Sequence, residues 1–148
     1  MIRKLTDSDV DEAAIVWLTS GHDEYSYLPA FQRLDETSAL RVFKAQIQDK
    51  SDLSVFDDNG ILKGFIAIQG SSIDRLYVRP EYQRQGVSSA LLQWAKNNAQ
   101  GELTLFTHQE NTRARSFYEK HKFVAVKFGL SPAPELVPDV EYKWYGGT

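Results

Sequence analysis

Between Leu53 and Val78 the chain passes through three apolar stretches separated by very little. LSVF leads into Asp57-Asp58-Asn59-Gly60, ILKGFIAIQ follows, and after Gly70-Ser71 comes SIDRLYV. Asn-Gly between two apolar runs is a strong hairpin signal, because both residues tolerate the positive φ of a two-residue turn. The third run is rich in β-branched and aromatic residues and is stopped by Arg79-Pro80, since proline cannot donate to a strand ladder. Three successive strands with short turns predict an antiparallel meander. At 148 residues and 42% hydrophobic content the chain has the size of one globular domain, residues 1–148, with no linker and no internal repeat.

The flanking segments read as helices and further strands. Residues 2–5 (IRKL) form a short strand, and Thr6 or Asp7 precedes an acidic first turn of Asp9, Asp11 and Glu12, suited to a helix amino terminus. Ala14, Ile15, Trp17 and Leu18 give that helix its apolar side, Ser20-Gly21 ends it, and HDEYSYLP (22–29) is a polar-aromatic loop. Leu40, Phe43 and Ile47 mark a second helix started by Asp35-Glu36-Thr37. After the meander, VSSALLQWAKNNA places Val87, Leu91, Trp94 and Ala95 on one helical stripe. ELTLFT (102–107) is a strand, Thr112 to Lys120 a helix with Ala114, Phe117 and Tyr118 inward, and FVAVKFG and VEYKWY the last strands, on either side of the loop SPAPELVPD. The order is strand, two helices, three strands, helix, strand, helix, two strands: a mixed α/β chain.

Several chemistries are excluded. The chain has no cysteine, which removes disulfide scaffolds, thiolate metal sites and cysteine nucleophiles. Its three histidines have no ligand spacing, so no metal site is expected, and His22 and His121 read as surface. No apolar run approaches the roughly 20 residues of a membrane span, and the start turns acidic where a secretion signal would be apolar, so a cytoplasmic protein is expected. The net charge of −3 is uneven: residues 1–60 carry 6 basic and 12 acidic groups, residues 61–148 carry 11 and 8. That balance argues against nucleic acid as a main partner.

The densest signal is Leu76 to Leu92, LYVRPEYQRQGVSSALL: strand, proline stop, polar loop, Gly86, helix. Glycine there lets a ligand approach the backbone, and the free amides of a first helical turn, with the helix dipole, make an anion site suited to a pyrophosphate. Arg79 and Arg84 add charge at its mouth. A dinucleotide fingerprint would need three spaced glycines and a P-loop a Gly-Lys-Ser/Thr ending, and neither is present.

Gln83, Gly86 and Ser88 behind the strand LYV resemble instead the acetyl-coenzyme A signature of the GNAT acetyltransferases, Gln/Arg-x-x-Gly-x-Gly/Ala. NTRARSFYEKHKF is similar to the second half of that family's pattern, through Asn111, Ala114, Phe117, Tyr118 and Phe123, and the element order is also the family's. Two departures stand out: Ser88 replaces a Gly or Ala, and Lys122 replaces a glycine before the aromatic. The resemblance implies a largely antiparallel sheet of about seven strands flanked by about four helices. It implies acetyl transfer from acetyl-coenzyme A to an amine, of a small molecule or a peptide, by direct attack without a covalent enzyme intermediate.

On this resemblance the pantetheine arm lies along Leu76, Tyr77 and Val78, with one amide there as oxyanion donor. The pyrophosphate sits on the amides of Arg84, Gln85, Gly86, Val87, Ser88 and Ser89, Asn111 helps hold the arm, and Tyr118 protonates the departing thiolate. An alkyl amine of pKa around 10 must lose a proton to attack. Asp74, the only acid on SIDRLYV, alternates with Leu76 and Val78 and so shares their sheet face. Alternatives are a water held by Ser72, or Glu110 or Glu141; His108 could contact the acceptor. His22, Asp23, Glu24, Tyr25 and Tyr27 suit a cationic acceptor, SPAPELVPD would form the opposite wall, and the aromatic strand EYKWY could serve as a dimer edge. A non-catalytic acyl-coenzyme A sensor is the alternative function. A retained phenol at Tyr118 argues against it.

Overall fold

The structure, a computed structural model, describes residues 1–24, 35–132 and 136–146. The meander forms as β2 (Asp52–Asp58), β3 (Ile61–Gln69) and β4 (Ser72–Val78). Asp58 faces Ile61 across a two-residue turn in which Asn59 and Gly60 take φ of 53° and 89°, and Asp57 Oδ1 accepts the Gly60 amide at 2.7 Å. Around it stand β1 (Ile2–Lys4), α1 (Val10–Glu24), α2 (Glu36–Gln46), α3 (Val87–Asn98), β5 (Leu103–His108), α4 (Thr112–Lys120), β6 (Val124–Leu130) and β7 (Pro138–Trp144). Among the described residues no helix is long and apolar enough to cross a membrane.

One seven-stranded sheet runs in the order β1-β2-β3-β4-β5-β7-β6. Every neighbouring pair is antiparallel except β4 and β5. Helices pack on both faces, leaving β6 largely exposed. On one, α1 and α2 bring Val16, Trp17, Ala39 and Phe43 onto Val55, Phe65 and Tyr77, with Phe43 and Phe65 edge to face at 5.6 Å. On the other, Leu91, Leu92 and Ala95 of α3 pack on Ile66, Ile73, Leu105 and Tyr142, joined by half-buried Phe117 and Tyr118 of α4. Each fully buried Leu or Phe contributes about 1.5–3 kcal/mol. The amino-terminal strand is pinned to the 3-10 turn ahead of α1 and to β2 by Arg3, whose guanidinium donates to Asp9 at 2.7 and 3.0 Å and to Asp57 at 3.0 Å.

Three expectations need correction. The helix expected to end at Ser20-Gly21 continues to Glu24, because Ser20 is buried against β4 with its hydroxyl spent on the Val78 carbonyl at 2.8 Å. EYKWY is not an edge: β7 is hydrogen-bonded to β5 on one side and β6 on the other, so β6 carries the free edge. Asp74 does not follow from strict alternation. Ala67 faces Arg75 while Ile68 faces Ile73, so Asp74 is the extra residue of a β-bulge, which breaks the parity linking it to Leu76 and Val78.

Candidate active site

After β4, Pro80–Tyr82 form a single 3-10 turn, Arg84 and Gly86 take φ of 64° and 86°, and α3 begins at Val87. The Ala90 amide makes the first α-helical bond, to the Gly86 carbonyl at 3.0 Å. The amides of Val87, Ser88 and Ser89 therefore have no acceptor within the helix. A Cβ built on Gly86 would meet nothing within 4 Å, so open space lies above the turn. Val87 buries its side chain in the core and Gln85 turns its side chain to the Glu81 carbonyl. Neither side chain lines the groove that opens above the turn.

The strand leading to this turn is half unpaired. β4 and β5 are in register only at Ser72↔Thr104 and Ile73↔Leu105, then diverge. Toward β3, the Arg79 amide donates to the Lys63 carbonyl at 2.9 Å, which fixes the parity of the antiparallel ladder. Tyr77, of the same parity, spends its amide and carbonyl on Phe65, whereas Leu76 and Val78 direct theirs away from β3. The Val78 carbonyl is taken by Ser20 Oγ at 2.8 Å and Gln83 Nε2 at 3.2 Å. The backbone on offer at the splay is thus the Leu76 amide and carbonyl and the Val78 amide.

The far wall is α4. Asn111 caps it, its Oδ1 accepting the Ala114 amide at 3.1 Å. At the other end the Phe123 amide bonds the Tyr118 carbonyl at 3.0 Å and the Lys122 amide bonds the Glu119 carbonyl at 3.2 Å, with Lys122 at φ 73°. This is a Schellman motif with a non-glycine residue in the left-handed position, completed by the Tyr118–Phe123 ring contact at 5.7 Å. The departure at Lys122 therefore leaves the cap geometry intact. Tyr118 is held by that cap and by its neighbour Phe117 at 5.2 Å.

Between these walls runs a groove of about 660 Å³, and it gathers most of the residues expected from sequence: Leu76, Tyr77, Val78, Arg84, Gly86, Ser88, Ser89, Asn111 and Tyr118. Where β4 and β5 part, a smaller cavity of about 40 Å³ is lined by Asp74, Leu76, Tyr77, Phe106, Ala114 and Tyr118 among others. Leu76, Tyr77, Ala114 and Tyr118 border both spaces. Asp74 is exposed there and accepts from Arg75 Nε at 3.2 Å. Neither Glu110 nor Glu141 lines either cavity; Glu141 lies across from Phe106 one strand further on. Ser72 sits at the joined base of the splay and His108 opposite Asp139. The side chains of His22, Asp23 and Glu24, together with Tyr25, Tyr27 and residues 133–135 of the proline loop, lie outside the described residues.

The charge around the groove differs from the expected set. Arg79 turns away: its Nε donates to the Leu62 carbonyl at 2.8 Å and its guanidinium pairs with Glu12 of α1 at 3.0 Å. The cations that line the groove with Arg84 are Arg113 and Lys120. Arg113 reaches Gln83 Oε1 at 2.7 Å across it. Spacings of four and three put Arg113, Phe117 and Lys120 on one face of α4, a sequence signal that could have identified them. Ser20, 58 residues from the Val78 carbonyl it serves, gives no such signal. His121, expected at the surface, is half-buried, with its ring 4.6 Å from Phe117 and Nε2 3.1 Å from Ser89 Oγ. Burial and the cations Lys96 and Lys120 hold its imidazolium form below the usual histidine range.

Comparison with known proteins places this geometry. A family model described as an acetyltransferase (GNAT) domain matches residues 19–132. N-acetyltransferase YafP of Escherichia coli (strain K12), itself uncharacterised, is 32% identical over 114 residues, covering 77% of this chain and 70% of YafP. Peptidyl-lysine N-acetyltransferase YjaB of the same strain is 25% identical over 122 residues, 82% of this chain and 80% of YjaB. The solution structure of apo YjaB from Escherichia coli matches at a TM-score of 0.81 and 21% identity, over 99% of this chain and 98% of that one. Salmonella typhimurium yncA, solved with its cofactor acetyl-CoA, matches at a TM-score of 0.74 and 12% identity, over 100% and 94%. Since the family model spans most of the chain, including the turn at Gly86 and the helix of Tyr118, the chain belongs to the GNAT acetyltransferase family.

Proposed function

We propose that this acetyl-coenzyme A-dependent N-acetyltransferase performs its reaction where β4 and β5 part, by direct attack of the acceptor amine on the thioester. The observation that carries the reading is one of position. The splay lies between the open first turn of α3 and Tyr118, and Tyr118 borders both the long groove and the small cavity.

The cofactor supplies an activated acetyl group on a thiol, and the residues fit its parts. The amides from Arg84 to Ser89, with Arg84, Arg113 and Lys120 nearby, suit a pyrophosphate. Leu76 and Val78 offer main-chain donors and an acceptor to an extended amide-bearing arm, as a strand edge offers them to a peptide. Asn111 is placed to hold the same arm. The Val78 amide, whose peptide plane is held by the pairing of the Tyr77 carbonyl with Phe65, can donate to the thioester oxygen as negative charge develops there. Tyr118 can give its phenolic proton to the departing sulfur.

Asp74 is the carboxylate on the small cavity and the base we assign to the amine, acting directly or through a water. The acceptor reaches the splay from the side of Phe106, which is 59% exposed. The likeness to YjaB, named a peptidyl-lysine N-acetyltransferase, favours a lysine side chain on a peptide over a small-molecule amine. Crystals grown with acetyl-coenzyme A test the placement. The pyrophosphate should lie on the α3 amides and the thioester within about 4 Å of Val78 N and the Tyr118 hydroxyl. A thioester outside the splay would overturn it.

A further inference from the structure

We propose that His121 is a positioning residue for the cofactor's phosphates, acting through Ser89, and that it makes coenzyme A binding take up a proton. This rests on the reading of the groove given above.

His121 sits at the carboxyl end of α4, outside the groove but against two residues that line it. Its ring packs on Phe117 at 4.6 Å, and its Nε2 lies 3.1 Å from the hydroxyl of Ser89, the third residue of α3. The Lys96 ammonium donates to the His121 carbonyl at 2.6 Å and covers the rings of Phe123 and Trp144, which ties the end of α4 to α3. The groups facing the imidazole are Ser89 and Lys96 from α3 and Phe117 and Lys120 from α4, with Lys122 next in the chain. Burial of the ring, and after it Lys96 and Lys120, oppose a proton on the imidazole.

In the free protein the ring is therefore held toward its neutral form, and either it or Ser89 can donate in their shared bond. A phosphate group on the α3 amides reverses the local field, offsetting the two lysines and favouring the imidazolium. An imidazolium can only donate from Nε2. Ser89 Oγ then accepts from His121 and must turn its own hydrogen outward, toward the phosphate oxygen. Protonation of His121 thus removes the arrangement in which Ser89 spends its hydrogen on the ring, which favours donation by Ser89 to the ligand, and affinity rises as pH falls.

Calorimetric titration of the full chain with coenzyme A from pH 8.0 to 5.5, for wild type, His121→Gln and Ser89→Ala, tests this. Wild type should gain about three- to tenfold in affinity over His121→Gln across that range, the effect of a rise of half to one pKa unit on binding. At pH 6.5, titrations in buffers of different ionisation enthalpy should show greater proton uptake by wild type. The titration of the ligand's own phosphate is common to all three proteins and cancels. Ser89→Ala keeps the imidazole and the phosphate's field on it but removes the hydroxyl that accepts from the imidazolium, so it should show a smaller pH-dependent gain than wild type, which keeps the test decisive even if His121→Gln fails to fold. Coincident pH profiles for wild type and the folded variants overturn the proposal alone. No binding of coenzyme A to wild type at any pH overturns the groove reading, and this proposal with it.

Discussion

Gly86 separates the two things that its turn does, and a pair of substitutions resolves them. With φ at 86° and ψ at 4°, any other residue there pays the left-handed penalty of about 1–2 kcal/mol. No steric term adds to it, because a Cβ would meet no atom within 4 Å. Gly86→Ala and Gly86→Glu should therefore both fold and share a fall in Tm of about 2–8 °C, at roughly 2–4 °C per kcal/mol for a chain of this size. They part company on ligand. A carboxylate about 5 Å from one phosphate charge is repelled by about 3 kcal/mol at an effective dielectric near 20. That corresponds to about a 100-fold loss of affinity. Differential scanning fluorimetry with and without coenzyme A, followed by calorimetry, measures both quantities. A folded Gly86→Glu protein that binds coenzyme A within about threefold of wild type would refute the placement of the pyrophosphate.

Two further outcomes concern stability. Lys122→Gly removes the left-handed strain from the cap of α4 without touching the Tyr118–Phe123 contact, and should raise stability by about 1 kcal/mol in denaturant unfolding; an unchanged or lower midpoint would mean the cap is not strained. The Arg3 guanidinium holds the Asp9 carboxyl well below the usual carboxylate range, outweighing the opposing effect of burial. The sign is that of a depressed acid: the pair stabilises the fold above pH ~4 and its contribution is lost as pH falls below that. Asp9→Asn should cost about 2 kcal/mol at pH 7, and the gap from wild type should narrow only below about pH 4, as followed by urea unfolding at several pH values.

The parts of the fold that depend on neighbours in sequence were legible there. Asn59-Gly60 dictates its own turn, Asp35 caps α2 three residues ahead at Ser38, and Gly86 opens α3 with the φ that only glycine adopts freely. What depends on distant chain was not. Arg79 looks like one more cation beside Arg84 until Glu12, 67 residues earlier, claims it. The bulge at Asp74 is a mismatch between two strands, invisible in either one. EYKWY reads as a terminal strand, yet the chain inserts it between β5 and β6. The site followed the same division. The turn at Gly86 and Tyr118, which border the groove, follow from local pattern, whereas Ser20 and Arg113 join its walls and His121 abuts them through contacts that only tertiary packing creates.

The most direct test of acetyl transfer at this splay is thiol release from acetyl-coenzyme A in the presence of amine acceptors, lysine peptides included, by wild type and Tyr118→Phe. The account predicts acceptor-dependent release by wild type. For Tyr118→Phe it predicts turnover lower by about 10- to 1,000-fold with cofactor affinity little changed, as expected when a proton donor is lost from a site whose walls remain. Full turnover by Tyr118→Phe would reduce that residue to packing. Tight cofactor binding by wild type with no thiol released from any amine would contradict the catalytic reading itself.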